Sequence, residues 1–190
     1  MNKFFRALVM GLFVLAAPVR AAPLPYDMDT QHSEVSFSYS LEGLEFSGSF
    51  PDFSTKLILD FDSVSKSTVD VTLNARTVRG GIIFATDALR GPEVLDVAKF
   101  PIIRFTSTKI DTVGQSVRIR GNMTIKDVTR PMTLLAKLYR APDSNPDEQD
   151  NLTIRISGQI NRNAFNVVGY DTLVGSVIKI NVTAQIRKRQ

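Results

Sequence analysis

The sequence predicts an all-β fold: an extended eight-stranded antiparallel barrel, interrupted by a short helical plug at about residues 86–100. Three observations carry this. Apolar and polar residues alternate with period two over most of the chain, as half-buried strands require. The joining turns are mostly short, which favours antiparallel neighbours. One stretch, 86–107, breaks the alternation. A sheet with one apolar face must pack on a second sheet or close on itself. Strands of well over eight residues favour closure over a sandwich. A barrel of eight strands is either filled by its side chains or just wide enough for one small ligand.

The first 21 residues read as a secretory leader. Lys3 and Arg6 form a basic start, Ala7–Ala17 an apolar run, and Val19-Arg20-Ala21 a small-residue cleavage site after Ala21. The apolar run is too short to span a bilayer comfortably. This marks the mature chain, 22–190, as an exported protein of one barrel domain. Cleavage would remove three basic residues and no acidic one, leaving 20 basic against 19 acidic side chains, a net of +1. That near-neutral balance gives no electrostatic footprint for nucleic acid. The chain has no cysteine, so disulfides play no part.

The first hairpin alternates Val35, Phe37, Tyr39 and Leu41 with polar residues, turns at Gly43, and returns through Leu44, Phe46, Gly48 and Phe50. Leu57, Leu59 and Phe61 follow, with Lys56, Asp60 and Asp62 opposite. Val69, Val71, Leu73 and Ala75 form the next strand, ending at Gly80-Gly81. In the plug, Thr86 is a fair N-cap and Gly91 a left-handed terminator. Pro92 and Glu93 suit the start of a second turn, and Pro101 stops it. Ile103, Phe105 and Ser107 resume the alternation, with a turn near 111–114. Val117, Ile119, Gly121, Met123 and Ile125 lead into a tight turn at Lys126-Asp127. Met132, Leu134, Ala136 and Leu138 precede an acidic loop at 141–151. Leu152–Ile160 and Ile178–Ile186 are the last two strands, separated by an irregular segment at 161–172.

Gly48, Gly121 and Gly158 fall on the same apolar face as Phe37, Tyr39, Phe46, Phe50, Phe61 and Phe105. Such glycines mark a bend, a bulge or a close approach. Large rings beside glycines suit either an elongated apolar cavity or complementary packing, and the sequence leaves both open.

Little here suggests catalysis. His32 is the only histidine, which argues against zinc sites built from His and Cys. A Ser–His–acid triad would have to use His32 beside Ser33, without an evident oxyanion hole. The acidic run 143–150 opens like a calcium loop but lacks glycine at its sixth position and glutamate at its twelfth, Ile154. A solvated hairpin loop is the better reading. Neither a metal nor a cofactor is expected.

Four segments resemble the YceI-like family, a lipocalin-like family associated with polyisoprenoid binding. They are His32-Ser33-Glu34-Val35-Ser36-Phe37 with Phe46-Ser47-Gly48-Ser49-Phe50; Leu89–Val97 running into Phe100–Phe105; Gly121–Pro131; and Asn161-Arg162-Asn163-Ala164-Phe165. The resemblance covers about Tyr26 to Ile186. It implies a lipocalin-like barrel, exported to the periplasm, with an apolar tunnel for an isoprenoid chain such as a polyprenyl phosphate or a quinone tail. Many members have histidines in the first long strand and in the plug; here Tyr39-Ser40 and Ala88 stand at those places.

On this reading the protein is a non-enzymatic carrier of an amphiphilic lipid. The expected tunnel-lining residues are Phe37, Tyr39, Phe46, Phe50, Phe61, Leu73, Leu89, Leu95, Phe105, Ile119, Met123, Leu134, Ile156 and Phe165, with Tyr39, Arg90 or Asn163 as polar anchors. The alternative is a filled, stress-related barrel acting through surface residues such as Arg118, Arg120 and Arg155. An enzyme on the same barrel is the least supported reading, since the inner face shows no titratable cluster. Exposed strand edges at an incompletely closed seam would allow two copies to pair.

Overall fold

A computed structural model describes residues 22–140, 145 and 148–189. The expected leader lies outside the described residues, as does part of the acidic run 143–150. Ten strands form one antiparallel sheet: β1 (Leu24–Met28), β2 (Glu34–Leu41), β3 (Leu44–Ser49), β4 (Phe53–Leu59), β5 (Thr68–Asn74), β6 (Ile102–Val113), β7 (Ser116–Ile125), β8 (Val128–Tyr139), β9 (Asn151–Asn161) and β10 (Val177–Lys188). The order β1-β4-β5-β6-β7-β8-β9-β10 closes on itself, because β1 also pairs with β10. Eight strands therefore ring the interior, as the sequence predicts.

The other two strands extend the wall. One edge of β10 is shared: Ile186–Lys188 pair with β1, and Lys179–Thr183 pair with β2. β1 and β2 thus follow one another along a single strand edge. β3 pairs with β2, and no ladder joins it to β4. Closing that side falls to the segment between β5 and β6, where Ser49 and Arg79 exchange backbone hydrogen bonds of 2.9 Å.

β1 was not expected from the alternation. It does alternate, with Tyr26 buried, Leu24 and Met28 half-buried and Pro25 and Asp27 exposed, but five residues with a proline among them make too short a run to stand out as a strand. β6 runs on to Val113 instead of turning near Asp111. A bulge between Ser107 and Lys109 shifts its register against β7. The extra residue moves the inward phase from Ile103 and Phe105 to Ile110. Leu44, expected on the inner face, is 67 % exposed. It follows a hairpin tip in which Glu42 and Gly43 both take positive φ, the tight turn whose twist matches the flanking strands. Asp60, expected to face outward, is 5 % exposed. β4 ends at Leu59, and the Asp60 carboxylate turns in to accept hydrogen bonds from the backbone N–H groups of Asp62 (3.1 Å) and Ser63 (2.6 Å).

The plug starts earlier than predicted and holds one helix, α1 (Ile83–Arg90). Gly81, at φ +83°, reverses the chain before Thr86 is reached. Thr86 therefore lies inside the helix. Its Oγ1 accepts from the Gly80 N–H (2.9 Å) and donates to the Ile82 carbonyl (3.1 Å). Gly91 ends α1 in an extended conformation, and Asp96 takes the left-handed position instead (φ 47°). From Pro92 to Lys99 the chain is a series of turns, tied by Asp96 N–H to Gly91 O and Phe100 N–H to Asp96 O, both 2.8 Å. These turns bury Val94 and Leu95 against the barrel core.

Candidate functional site: an apolar cavity in the barrel

The ring encloses a cavity of about 980 Å³. This is at the upper end of the ~300–1,000 Å³ typical of ligand sites. Its wall is built from the inward positions of all eight ring strands and of β2, supplemented by the plug. Phe37, Tyr39, Phe50, Phe61, Leu73, Leu89, Leu95, Phe105, Ile119, Met123, Leu134 and Ile156 all lie on the wall. Phe46 does not: β3 stands outside the ring, and its ring stacks on Tyr39 instead (centroids 6.0 Å apart). Nor does Phe165, which is buried in the core beside the wall, in the 3-10 turn Arg162–Phe165.

Glycines and rings are locally complementary even though the middle is open. A Cβ on Gly48 would run into the Phe37 ring, and one on Gly121 into the Phe105 ring. The cavity therefore does not arise from glycines leaving gaps. It arises from eight strands whose inward side chains line the lumen without meeting across it.

Of the expected polar anchors, Tyr39 is on the wall, but its hydroxyl donates to the Gly80 carbonyl (2.7 Å), and burial raises its pKa. It ties β2 to the plug. Arg90 is off the wall and donates to the Val78 carbonyl (2.9 Å). Asn163 is exposed and also off the wall.

Two buried charged groups that the alternation does not reveal, Arg162 and Asp60, line the cavity. Arg162, 4 % exposed, follows β9 directly. Its guanidinium donates to the carbonyls of Val167 (2.8 Å), Gly169 (2.7 Å), Val174 (3.0 Å) and Gly175 (3.2 Å). Burial lowers its pKa, partly offset by the charge of Asp171. Its effect is to gather the 166–175 segment against the barrel end. Asp60 lies at the opposite end, in the β4–β5 turn. One of its oxygens lacks a hydrogen-bond partner, and Lys66 Nζ stands 4.0 Å away. The signal for Arg162 was its place at a strand end before an irregular segment. Arginine's usual surface position hid it.

The lumen reaches the surface at the plug end. There Ile82, Phe84, Asp87, Glu93, Tyr170 and Leu173 are both wall and exposed. Glu42 N–H to Leu173 O (2.9 Å), Gly175 N–H to Ser40 O (2.9 Å) and Gly169 N–H to Glu93 O (3.0 Å) join the hairpin tip, the 166–175 segment and the plug around this mouth.

Elsewhere, His32 and Asp29 pair at the surface (2.9 Å). Ser33 Oγ is engaged with the Gln185 backbone and not with His32. The surface arginines Arg118 and Arg120 both bind Asp111, and Arg155 lies over the Tyr139 ring (5.0 Å). Among the described residues no helix is long and apolar enough to cross a membrane.

Comparison with known proteins agrees with this architecture. The YceI-like domain model matches residues 26–186. A protein named YceI from Salmonella newport is 35 % identical over 159 residues, covering 82 % of this chain and 81 % of its own. The crystal structure of BcnA from Burkholderia cenocepacia superposes with a TM-score of 0.75 at 21 % identity, over 84 % of this chain and 99 % of that one. A polyisoprenoid binding domain from Saccharophagus degradans, implicated in plant cell wall breakdown, gives 0.62 at 11 % identity, over 87 % and 99 %. At these identities the structural likenesses show the fold.

Proposed function

Because the chain belongs to the YceI-like domain family, we propose that it holds an isoprenoid-type lipid, a polyprenyl phosphate or a quinone tail, in the barrel and carries it in the periplasm. The observation behind this reading is the apolar cavity of about 980 Å³. An apolar chain gains roughly 0.8 kcal/mol for each methylene buried. The basic and apolar start of the chain supports export, and the polyisoprenoid binding domain among the structural neighbours supports the ligand class. The reading needs no catalytic step and no cofactor besides the lipid.

Purification from the native host followed by native mass spectrometry tests it. A stoichiometric isoprenoid or quinone, released and identified after denaturation, is the expected result. Protein that arrives empty and takes up neither polyprenyl phosphate nor quinone would overturn it.

A further inference from the structure

The exposed large apolar side chains are unevenly placed. Leu44 is 67 % exposed at the β2–β3 tip, and Ile83 and Phe84 are 79 % and 86 % exposed at the start of α1. Ile82, Tyr170 and Leu173 are each more than 40 % exposed. These six belong to the three segments that backbone hydrogen bonds join around the mouth; Val113, Leu135 and Tyr139, also exposed, lie on β6 and β8. Isolated surface leucines are ordinary, whereas a contiguous apolar rim marks an interaction site.

Two features decide what the rim fits. First, Ile82, Phe84, Tyr170 and Leu173 are wall and rim at once, so the outer apolar surface continues into the lumen alongside the two carboxylates, Asp87 and Glu93, that share the mouth. An insoluble chain moving between a bilayer and the cavity could follow these four side chains. Second, the charges at this end are of both signs: the mouth segments carry Glu42, Asp87, Glu93 and Asp171 together with Arg79 and Arg90, and Lys126 and Arg130 donate to the Asn166 and Ala164 carbonyls. This does not make a basic patch for anionic headgroups. Protruding loop tips bearing aliphatic and aromatic side chains suit shallow insertion into a bilayer interface.

We propose that the plug end docks on a phospholipid bilayer by inserting the Leu44, Ile83 and Phe84 tips, which sets the mouth of the cavity against the acyl region. The inference rests on the lipid-binding reading of the cavity, but its test is separate. The full chain is floated with phosphatidylcholine vesicles that contain no isoprenoid. The wild type should float, and neither added salt nor added anionic lipid should change the fraction. Ile83→Asp and Leu44→Asp, at two positions off the cavity wall, should each lower the floated fraction about tenfold while melting as the wild type does. Polyprenyl phosphate supplied from detergent should still bind both variants, as read by native mass spectrometry.

A wild type that stays with the soluble fraction overturns the docking, as does flotation that requires anionic lipid and disappears in salt. A dimer that forms with rising concentration and is lost in both variants would assign the rim to a second copy, and also overturns it. Flotation without any isoprenoid uptake would support docking while removing the lipid-binding reading.

Discussion

The ring of Phe37 on β2 lies across from Gly48 on β3, where a side chain on Gly48 would have to be. The Arg79 carbonyl, 2.5 Å from the same point, blocks it from the backbone side. A ring can rotate away, but a backbone oxygen held in a β-bridge cannot. Gly48→Ala should therefore destabilise the fold by about 1–3 kcal/mol, the usual cost of overpacking. Gly121→Ala should cost as much, since Thr106 O and the Phe105 ring both crowd its Cβ position. Gly158→Ala should cost less. Its closest neighbour is the end of the Leu134 side chain (2.5 Å), and the nearest carbonyl, Thr133 O, stands at 3.2 Å. Urea denaturation of the three variants checks the order; equal losses would mean the backbone contacts do not decide it.

Arg162 should matter to the mouth more than to the barrel. Replacing it with leucine leaves the carbonyls of Val167, Gly169, Val174 and Gly175 without their donor. A hydrogen bond from a charged donor contributes about 1.5–3 kcal/mol, but loops relax and water replaces part of the loss. A net destabilisation of about 2–4 kcal/mol is expected. Hydrogen exchange should rise first in residues 166–175, with the β6–β9 ladders remaining protected. Uniform loss of protection across the barrel would contradict a local clasp.

Asp111 gives a pH signature. Hydrogen bonds from Arg118, then Arg120, hold its pKa down at about 2, against about 3.9 for a free aspartate. A carboxyl depressed in the folded state stabilises above its unfolded pKa and loses that contribution as pH falls through the folded value. Asp111→Asn should melt below the wild type at neutral pH, and the gap should close between about pH 4 and pH 2. The cluster is at the surface, so high salt should narrow the gap too. A gap that persists below pH 2 would point to packing at Asp111 and not to its charge.

The sequence revealed the barrel because its signals are local. Val117 to Ile125 and Ile178 to Ile186 announce their strands residue by residue, and Lys126-Asp127 announces its turn. What it hid depends on distant partners. β1 exists because Tyr26 fits beside Phe61 (centroids 5.7 Å) and because β10 offers it an edge. The shared edge of β10 leaves no mark in the pattern of either partner strand. Thr86 looks like a helix cap from its own neighbours, and only the reversal at Gly81 moves the start upstream. Most of the cavity wall was legible as the apolar face of alternating strands. Arg162 and Asp60 were not, because burying a charge is decided by the carbonyls and amides that chain ends bring to it.

Filling the lumen should separate a cavity from a core. Ala136 on β8 lies on the cavity wall, opposite Ile156 on β9. Gly48 and Gly121 have a backbone oxygen and a ring where their Cβ would be, whereas Ala136 adjoins the open middle. Ala136→Phe should place its ring in the cavity of about 980 Å³ without displacing the strands. Stability should then change by less than about 1.5 kcal/mol, as for a tolerated core substitution. Uptake of polyprenyl phosphate should fall about tenfold or more, since a ring at mid-barrel removes contacts worth at least about 1.4 kcal/mol to an extended chain. Thermal denaturation and native mass spectrometry with added lipid measure the two effects on the same sample. If Ala136→Phe unfolds as readily as Gly121→Ala, the middle of the barrel is packed and the cavity is not available space. If it folds and still binds lipid at wild-type affinity, the chain lies elsewhere. Only intact folding with lost uptake places the lipid inside the ring.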